Sequence, residues 1–471
     1  MSQPKVHVEF PGRIVFVGFG SIGQGVLPLI LRHIGTQAER ITIVSADERG
    51  ADVAVHFGVR FIKQAVTAEN LRGLLEPLLS SGDFLINVSV DVSSCALIEF
   101  CHERGALYLD TCTEPWPGGF TDPTLSPAAR TNYALRETVL ALRRRRPGGA
   151  TAVVTHGANP GLVSHLVKRA LLDVAGDLGL EPGLPCTREA WAGLAERVGV
   201  RAIHVAERDS QRPARPKEVG EFVNTWSVDG FISECSQPAE LGWGSHEHAL
   251  PADARTHDSG SGCAIYLLRP GAATRVRSWT PLQGPYHGFL ITHSESLSIA
   301  DYFTLRDGDS LRYRPTVHYA YHPCDAAVMS LHEFAGRNWQ QQERSRIITD
   351  EIVDGIDELG VLLGGHAKNA YWFGSRLSIA EARALVPHNN ATSLQVAVAA
   401  LAGVIWAMEN PARGIVEPDE MDFRRVLEIC TPYLGEVVGE YTDWTPLRHR
   451  GELFPETLDE RDPWQFVNVR V

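Results

Sequence analysis

The stretch RIVFVGFGSIGQGVLPLILRHI, residues 13–34, decides the fold of the N-terminal part of the chain. A short apolar run, rich in β-branched residues, leads directly into a GxGxxG motif formed by Gly18, Gly20 and Gly23. Glycines at these positions permit a tight turn, a close approach of phosphate groups to the backbone, and close packing of a helix on a strand. The first N–H groups of the following helix favour an anion. The stretch therefore predicts a strand, a turn and a helix that bind the pyrophosphate of a dinucleotide.

An acidic residue stands where such a motif requires one. Asp47 follows a second apolar run, residues 41–46, and lies 24 residues after Gly23. In dinucleotide-binding folds an acid about 20 residues after the motif accepts hydrogen bonds from the ribose 2′-hydroxyl group. Because Glu48, and no arginine, immediately follows Asp47, the sequence favours NAD over NADP, whose 2′-phosphate would meet a like charge.

The first 160 residues alternate β-rich apolar runs with helical stretches. Further strands are predicted at residues 83–88, 106–110 and 151–155, with helices between them. This alternation predicts an α/β fold of the Rossmann type, in which helices cover both faces of a doubly wound parallel sheet. Residues 1–160 are accordingly expected to form an NAD-binding domain.

The pattern changes from about residue 187 onward. Strand-like runs then follow one another without helices between them, at residues 263–268, 275–279, 289–292 and 311–321. Such runs predict a mixed or antiparallel sheet, and residues 161–386 are therefore expected to form a second, α+β domain that carries the substrate site. Residues 244–262 predict a long loop, and loops of that length are usually functional or mobile. We expect residues 387–471 to form a helical C-terminal segment that packs back on the first domain.

Composition and charge exclude several classes of protein. The 471 residues include 44% hydrophobic and 21% charged residues, which is typical of a folded globular chain. A net charge of −13 argues against nucleic-acid binding. The longest apolar stretch is too short to span a membrane, and the N-terminus lacks the apolar segment of a secretion signal. Eight scattered cysteines without a CxxC motif indicate reduced thiols, so we expect a cytoplasmic protein without a metal site.

Six longer segments carry a specific resemblance to one family. They are VGFGSIGQGVLPLILRHI (17–34), YLDTCTEPWPG (108–118), THGANPGLVSHLVKRAL (155–171), EFVNTWSVDGFISE (221–234), GPYHGFLITHSES (284–296) and LGVLLGGHAKNAYWFGS (359–375). In these segments, which sample nearly the whole chain, the sequence resembles the bacterial homospermidine synthases, relatives of the saccharopine dehydrogenases. The resemblance implies that two putrescines, or spermidine plus putrescine, become homospermidine by amine oxidation to an imine, transimination and reduction by the same bound NADH. It also implies a homo-oligomer, expected to be a dimer.

The resemblance implies the site residues as well. Around the substrate it places Glu114, Asn159, Glu207, Trp226, Glu234 and His293. Against the cofactor we expect Gly18, Gly20, Ser21, Ile22, Gly23, Asp47 and Thr111. A carboxylate can hold an ammonium group, or accept its proton if a dry pocket raises the carboxyl pKa, and the sequence leaves open which glutamate does which. Trp226 is expected to hold a charged amine or iminium through the face of its indole ring.

Two other functions fit the nucleotide motif. A dehydrogenase of the saccharopine or carboxynorspermidine type would make a carboxylated secondary amine, with net use of reduced cofactor, and would need a cationic side chain for the carboxylate. A non-catalytic, NAD-dependent sensor would explain the motif but not the acidic and aromatic positions of the second domain. Lys368 suggests a Schiff base, but the exchange of imines between substrates needs no enzyme amine.

Overall fold

A seven-stranded parallel sheet organises the N-terminal part of the chain. The structure, a computed structural model, describes residues 5–180 and 183–471. In spatial order the strands of this sheet are Ile415–Val416, Ala152–Val153, Leu107–Asp110, Phe84–Asn87, Ile14–Val17, Ile41–Ser45 and Arg60–Lys63. The helices that connect and cover them are Ser21–His33, Ala51–His56, Leu71–Leu75, Ser94–Arg104 and Asn132–Arg145. The predicted doubly wound parallel fold is thereby confirmed.

Burial explains why the strands of this sheet are continuous apolar runs. Ile14–Val17, Phe84–Asn87 and Leu107–Asp110 are buried at every position, because helices cover both faces of the sheet. The chain crosses over at Ile14–Val17, which pairs with Ile41–Ser45 on one side and with Phe84–Asn87 on the other. Ligands of such sheets bind outside the carboxyl ends of the strands at this reversal, which is where the glycine motif lies.

A ten-stranded mixed sheet forms the second layer of the protein. Its strands are Ala202–Asp209, Pro238–Gly242, Ala254–Thr256, Ala264–Pro270, Arg275–Thr280, Gly284–Ile291, Thr316–His322, Ile356–His366, Asn369–Ser378 and Glu436–Thr442. Thr316–His322 and Ala202–Asp209 run parallel at its centre, while the other pairs are antiparallel. The helices of this part and of the C-terminal segment are Leu162–Asp177, Arg188–Val198, Val228–Ser236, Glu295–Tyr302, Asp325–Gly336, Ile379–Leu385, Ala391–Glu409, Phe423–Cys430 and Phe466–Val469. The expected mixed sheet is present.

Shorter elements complete the secondary structure. Paired strands outside the two large sheets are Val8–Glu9 with Ile34–Gly35, Arg212–Pro213 with Ile352–Asp354, Glu221–Asn224 with Arg344–Ile347, and Leu305–Asp307 with Ser310–Tyr313. Single 3₁₀ turns occur at Ala38–Arg40, Pro127–Arg130, Gly271–Ala273, Pro418–Glu420 and Thr431–Tyr433. The predicted loop at residues 244–262 contains the short strand Ala254–Thr256, which pairs with Ala264–Pro270.

The helix Ala391–Glu409 joins the two layers. It is long and apolar enough to cross a bilayer, but 94% of its most apolar window is buried inside the protein. One side packs against Ser21–His33 of the first domain, and Gln395 reaches the second sheet by donating to the backbone oxygen of Asp357. The side chain of Asn390 caps its N-terminus by accepting from the backbone N–H of Ser393. An all-round apolar helix is therefore a core element here.

The C-terminal segment, expected to be helical, contains two strands as well as helices. Ile415–Val416 is a strand that extends the first sheet. Glu436–Thr442, however, is an edge strand of the second sheet, paired with Asn369–Ser378. Its sequence, EVVGEYT, has the β-branched and aromatic residues of a strand, and the sheet edge beside it supplies the backbone partners. The last residues of the chain then cover the second sheet with Trp444, Trp464 and Phe466.

Candidate active site

The glycine motif forms a turn shaped for close approach by a ligand. Gly18 has φ +84°, and a Cβ atom there would lie 2.7 Å from the backbone of Ser89. Gly23 packs against the Phe19 ring, whose nearest atom would be 2.9 Å from an added Cβ. At Gly20, by contrast, a Cβ would meet no described atom within 4 Å. Gly18 and Gly23 are thus required by packing, whereas Gly20 leaves space beside the helix start.

The helix that begins at Ser21 fits an anionic cofactor. Among the described residues, no side chain caps its first turn, so the early N–H groups remain available. Open space at Gly20 and this N-terminus suit the pyrophosphate of a dinucleotide. Ile22 on the same helix and Thr111, after the strand Leu107–Asp110, line the cavity that continues toward the second sheet.

Asp47 lies just beyond the strand Ile41–Ser45, but its surroundings differ from the sequence interpretation. The interpretation that no arginine neighbours Asp47 needs correction, because the Arg49 guanidinium contacts its carboxylate at 2.7 Å. The Arg49 backbone N–H also donates to Asp47 Oδ1, at 2.9 Å, so the chain turns back on the acid at Glu48. The side-chain hydrogen bond from Arg49 lowers the pKa of Asp47.

One cavity of about 120 Å³ brings the predicted substrate residues together between the two sheets. Glu114 and Asn159 each follow a strand of the first sheet. Glu207 lies in the strand Ala202–Asp209 of the second sheet, and His293 follows the strand Gly284–Ile291. Trp226 precedes the helix Val228–Ser236, and Glu234 lies in that helix. Gly18, Gly20, Ser21, Gly23 and Asp47 lie outside this lining, toward the first-domain crevice. The candidate substrate and cofactor residues therefore form two adjoining regions.

Glu207 is buried and held by two neutral donors. Asn159 Nδ2 donates to Glu207 Oε2 at 2.8 Å, and the Tyr319 hydroxyl donates to the same atom at 2.6 Å. In the described part of the chain no side chain donates to Oε1. Burial raises the pKa of Glu207 to about 8, while the two donors, which favour the ionised form, oppose that rise. The carboxyl group can therefore exchange a proton near neutral pH.

Two further buried carboxylates stand behind Glu207. Asp209 is two residues along the same strand, and Asp357 pairs opposite Asp209. Thr392 Oγ1, on the cavity wall, lies 2.5 Å from Asp357 Oδ2 and 3.4 Å from Asp209 Oδ2. A hydroxyl group donates one proton, so Thr392 can donate to only one of the two, and Thr225 Oγ1 also donates to Asp209 Oδ2, at 3.1 Å. Burial raises the pKa of both groups, that of Asp209 to about 6.

His293 forms a charged group with two glutamates. Its Nε2 lies 2.9 Å from Glu234 Oε2, and its Nδ1 lies 3.3 Å from Glu295 Oε1. Burial alone would lower the pKa of His293, but the two carboxylates outweigh burial and raise it well above the ordinary value. The ring is therefore an imidazolium that donates on both sides, to Glu234 on the cavity wall and to Glu295 behind it.

Glu114 and Trp226 complete the lining. Burial raises the pKa of Glu114 to about 8, and the backbone N–H of Asp91, which donates to its Oε2 at 3.3 Å, opposes that rise. The Trp226 indole donates from Nε1 to the Tyr321 hydroxyl at 3.3 Å and packs on Phe231, with ring centroids 5.2 Å apart. These contacts fix the orientation of the indole, which is only partly buried.

Tyr319, Thr392 and the pair Asp209–Asp357 are site residues that the sequence did not predict. Alternation along the strand Thr316–His322 was the available signal for Tyr319, but alternation does not say which strand lies beside it. Lys368 lies outside the cavity, with its ammonium group 4.7 Å from the centre of the Tyr441 ring. Among the residues described, no group of three or more His, Cys, Asp or Glu side chains could hold a metal ion.

Comparisons with known proteins agree over the whole chain. Residues 14–153 match the family described as saccharopine dehydrogenase NADP binding domain, and residues 157–443 match the saccharopine dehydrogenase C-terminal domain. The homospermidine synthase of Blastochloris viridis is 58% identical and covers 100% of both chains. That of Mesorhizobium japonicum is 52% identical, over 99% of this chain and 98% of its own. The crystal structure of the homospermidine synthase of Legionella pneumophila in complex with NAD has a TM-score of 0.93 at 49% identity and covers 100% of this chain and 99% of that one.

Proposed function

The chain belongs to the saccharopine dehydrogenase family, in its homospermidine synthase branch, and from this membership we propose how its cavity makes homospermidine. The reaction is NAD-dependent, and putrescine and spermidine are the sources of the aminobutyl groups. Two putrescines give one homospermidine and one ammonia. The first amine loses a hydride and a proton to become an imine, a second amine replaces ammonia at the imine carbon, and the hydride returns. NAD, when bound, would accept the hydride and hold it until it returns to the substrate.

The charge of the cavity supports this proposal most directly. Three glutamates, a histidine and a tryptophan line it, and none of the described lining residues is lysine or arginine. A diamine carries two ammonium groups, which carboxylates and an indole face can hold. A carboxylated product of the saccharopine type would need a cationic side chain at this place. The cavity therefore favours the diamine reaction over the net oxidoreductase, and a sensor would need none of these groups.

Glu207 is the group that we assign to the proton of the reacting amine. An ammonium group has no lone pair, so hydride can leave its carbon only after a base has taken a proton. With a pKa of about 8, the Glu207 carboxyl lies between an ordinary carboxyl and an alkylammonium, so it can both take and return that proton. Asn159 and Tyr319 hold Oε2, which keeps Oε1 for the substrate.

We assign Glu234 to an ammonium group of the substrate. His293, charged and fixed from behind by Glu295, holds Glu234 in one position without removing all of its negative charge. Together the imidazolium and its two carboxylates carry a net charge of −1, which suits one ammonium group. Glu114, protonated more easily than an ordinary glutamate, is the remaining acid on the wall and would contact the incoming amine.

The return of the hydride to the same molecule can be tested with labelled putrescine. Putrescine deuterated at both amine-bearing carbons is expected to give homospermidine that retains all of its deuterium, because the hydride does not exchange with water between the two transfers. Mass spectrometry of the product measures the retention. Loss of one deuterium per product, or NADH formed in step with it, would instead identify a net oxidoreductase.

Replacing Trp226 tests its contact with a cation. Trp226→Phe should retain part of the rate, whereas Trp226→Ala should lose about 30-fold in kcat/KM, which corresponds to a cation–π interaction of about 2 kcal/mol. Turnover of both variants is measured after normal folding and NAD affinity have been verified. Trp339→Ala is the matched control, since Trp339 is also partly buried and packs on a phenylalanine, Phe334, but lies outside the cavity. Equal losses in the phenylalanine and alanine variants would contradict the assignment.

Oligomeric state and compartment are two further proposals. We propose a homodimer, which sedimentation at several protein concentrations would distinguish from a monomer. We also propose that the enzyme acts in the cytoplasm. All eight cysteines are free, and five of them are buried, which suits a reducing compartment.

A further inference from the structure

The helix Asn132–Arg145 of the first domain is held by the second domain at its N-terminal turn. The backbone N–H groups of Asn132 and Tyr133 donate to the two oxygens of Glu240, at 2.7 and 3.2 Å. Glu240 lies on the strand Pro238–Gly242 of the second sheet and is fully buried. A carboxylate at this place satisfies N–H groups that the helix leaves free and interacts favourably with the helix dipole. The contact therefore joins the two domains by charge-assisted hydrogen bonds.

The loop after the strand Ala254–Thr256 grips the same turn. The Tyr133 ring stacks on His257, with ring centroids 3.9 Å apart. Its hydroxyl donates to the backbone oxygen of Ser259 and accepts from the backbone N–H of Gly262, both at 2.8 Å. This part of the predicted long loop is thus fixed in place and has a specific partner in the first domain.

Gly260 shows how closely this loop fits. A Cβ atom there would lie 2.5 Å from the Tyr133 hydroxyl oxygen and 2.6 Å from the carboxyl carbon of Glu137, and φ at Gly260 is +94°. The next residue, Ser261, donates its backbone N–H to Glu137 at 2.9 Å. The loop therefore contacts two successive polar residues of the helix face, with no room for a larger residue between them.

The same contacts reach the wall of the active site. Thr292 Oγ1 donates to Glu240 Oε2 at 2.8 Å, Asn132 Nδ2 lies 3.4 Å from that hydroxyl, and His293 is the next residue. Asn132 and Thr292 line a void of about 10 Å³, and Glu114, Glu234 and His293 line both this void and the substrate cavity. The void has room for about one water molecule. Any opening between helix and sheet at this point would lead water to the substrate.

We propose that Glu240, together with the loop residues 257–262, forms an interdomain latch that keeps water away from the imine during the exchange of amines. The inference rests on the proposed function. Burial raises the pKa of Glu240 to about 7, and its three donors, which favour the ionised carboxylate, oppose that rise. Glu240 is not part of the lining of the substrate cavity and acts as a positioning residue through Asn132 and Thr292.

The latch matters because water and amines compete for the same carbon. Addition of water to the protonated imine breaks the C=N bond, forms a C=O bond and releases ammonium. The product is then an aminoaldehyde, and the hydride is not returned, so one reduced cofactor remains for each aldehyde formed. A site that opens to solvent therefore converts part of its turnover from homospermidine to aldehyde plus NADH.

Two variants test the latch through this ratio. In Glu240→Gln an amide nitrogen replaces one acceptor of the helix N–H groups, and in Tyr133→Phe all hydrogen bonds of the loop to the hydroxyl are lost. With putrescine and NAD, each variant is expected to raise the ratio of aminoaldehyde to homospermidine about tenfold or more. The reason is that loss of a buried hydrogen bond increases the population of the open state by roughly that factor. NADH absorbance and mass spectrometry measure the two products.

Tyr441→Phe is the matched control. The Tyr441 hydroxyl, on the edge strand Glu436–Thr442 of the second sheet, donates to Asp177 at 2.7 Å, and neither residue lines the cavity. An unchanged ratio in a folded Tyr133→Phe protein, or an equal rise in Tyr441→Phe, would overturn the latch, and Tyr133→Phe decides the matter if Glu240→Gln does not fold. Failure of the wild-type protein to form homospermidine would overturn the proposed function instead.

Discussion

Glu207→Gln is expected to lower kcat by about 10²–10⁴-fold, the usual contribution of a positioned proton-transferring group. Glutamine keeps the shape and the two donors, Asn159 and Tyr319, but cannot take a proton. The wild-type profile should show the same group: kcat/KM is expected to rise with pH through about 8, the pKa of Glu207, because only the ionised carboxylate of the free enzyme accepts the proton. The variant should lack this rising limb at its residual rate.

The same substitution should stabilise the protein. The pKa of Glu207 is raised on folding, so between about pH 4.5 and about pH 8 the folded state keeps a proton that the unfolded state has lost. Stability of the wild-type protein therefore falls as pH rises through this window, and the variant avoids that loss. The Tm of Glu207→Gln minus that of the wild type is expected to be larger at pH 8 than at pH 5.

Glu247→Gln serves as the control for the activity readout. Burial raises the pKa of Glu247 to about 7, but this side chain binds Thr316 and the backbone of Phe466 away from the cavity. It should retain kcat. A Glu207→Gln protein that turns over within a few-fold of the wild type, with the rising limb intact, would show that another group takes the proton.

Gly20→Ala is expected to raise the Kd for NAD at least tenfold without loss of stability. The backbone at Gly20 has φ −76°, which alanine adopts without strain, and the added methyl group would meet no described protein atom within 4 Å. It would instead occupy the space in which the pyrophosphate approaches the helix start, and a displaced phosphate loses hydrogen bonds to the backbone. Calorimetric titration with NAD measures the change.

Gly73→Ala is the matched control for the cofactor site. Gly73 lies in the helix Leu71–Leu75 of the same domain, and a Cβ atom there also meets no described atom within 4 Å. It should bind NAD like the wild type. If the two variants bind NAD with equal affinity, the assignment of Gly20 to the pyrophosphate site is wrong.

Local signals account for most of what the sequence could predict. The turn at Gly18 and Gly20 is decided by residues that are neighbours in the chain. Glu114 and Asn159 follow strands of a parallel sheet, whose carboxyl ends meet at one edge whatever the rest of the fold does. Glu207, Trp226, Glu234 and His293 were identified through family resemblance, because no spacing among them indicates that they share a cavity.

The features that were missed depend on contacts between distant parts of the chain. Tyr319 reaches Glu207 only because the strand Thr316–His322 lies parallel to the strand Ala202–Asp209. The sequence of neither strand predicts that the two are neighbours in the sheet. Asp357 looks like a surface residue until its strand is known to be central. The arginine beside Asp47 was missed for a related reason. Arg49 does not follow Asp47 directly in the sequence, and only the folded turn brings its guanidinium into contact with the Asp47 carboxylate.

The strand Ile415–Val416 has a consequence for how the chain matures. It forms the outer edge of the first sheet, next to Ala152–Val153, and the helix Ala391–Glu409 before it covers Ser21–His33. During synthesis the first 160 residues emerge long before either partner, with an open strand edge and an apolar helix face exposed to solvent. Such surfaces bind other unfinished chains, so the nascent protein depends on chaperones, or on rapid completion of translation, until its last third has been made.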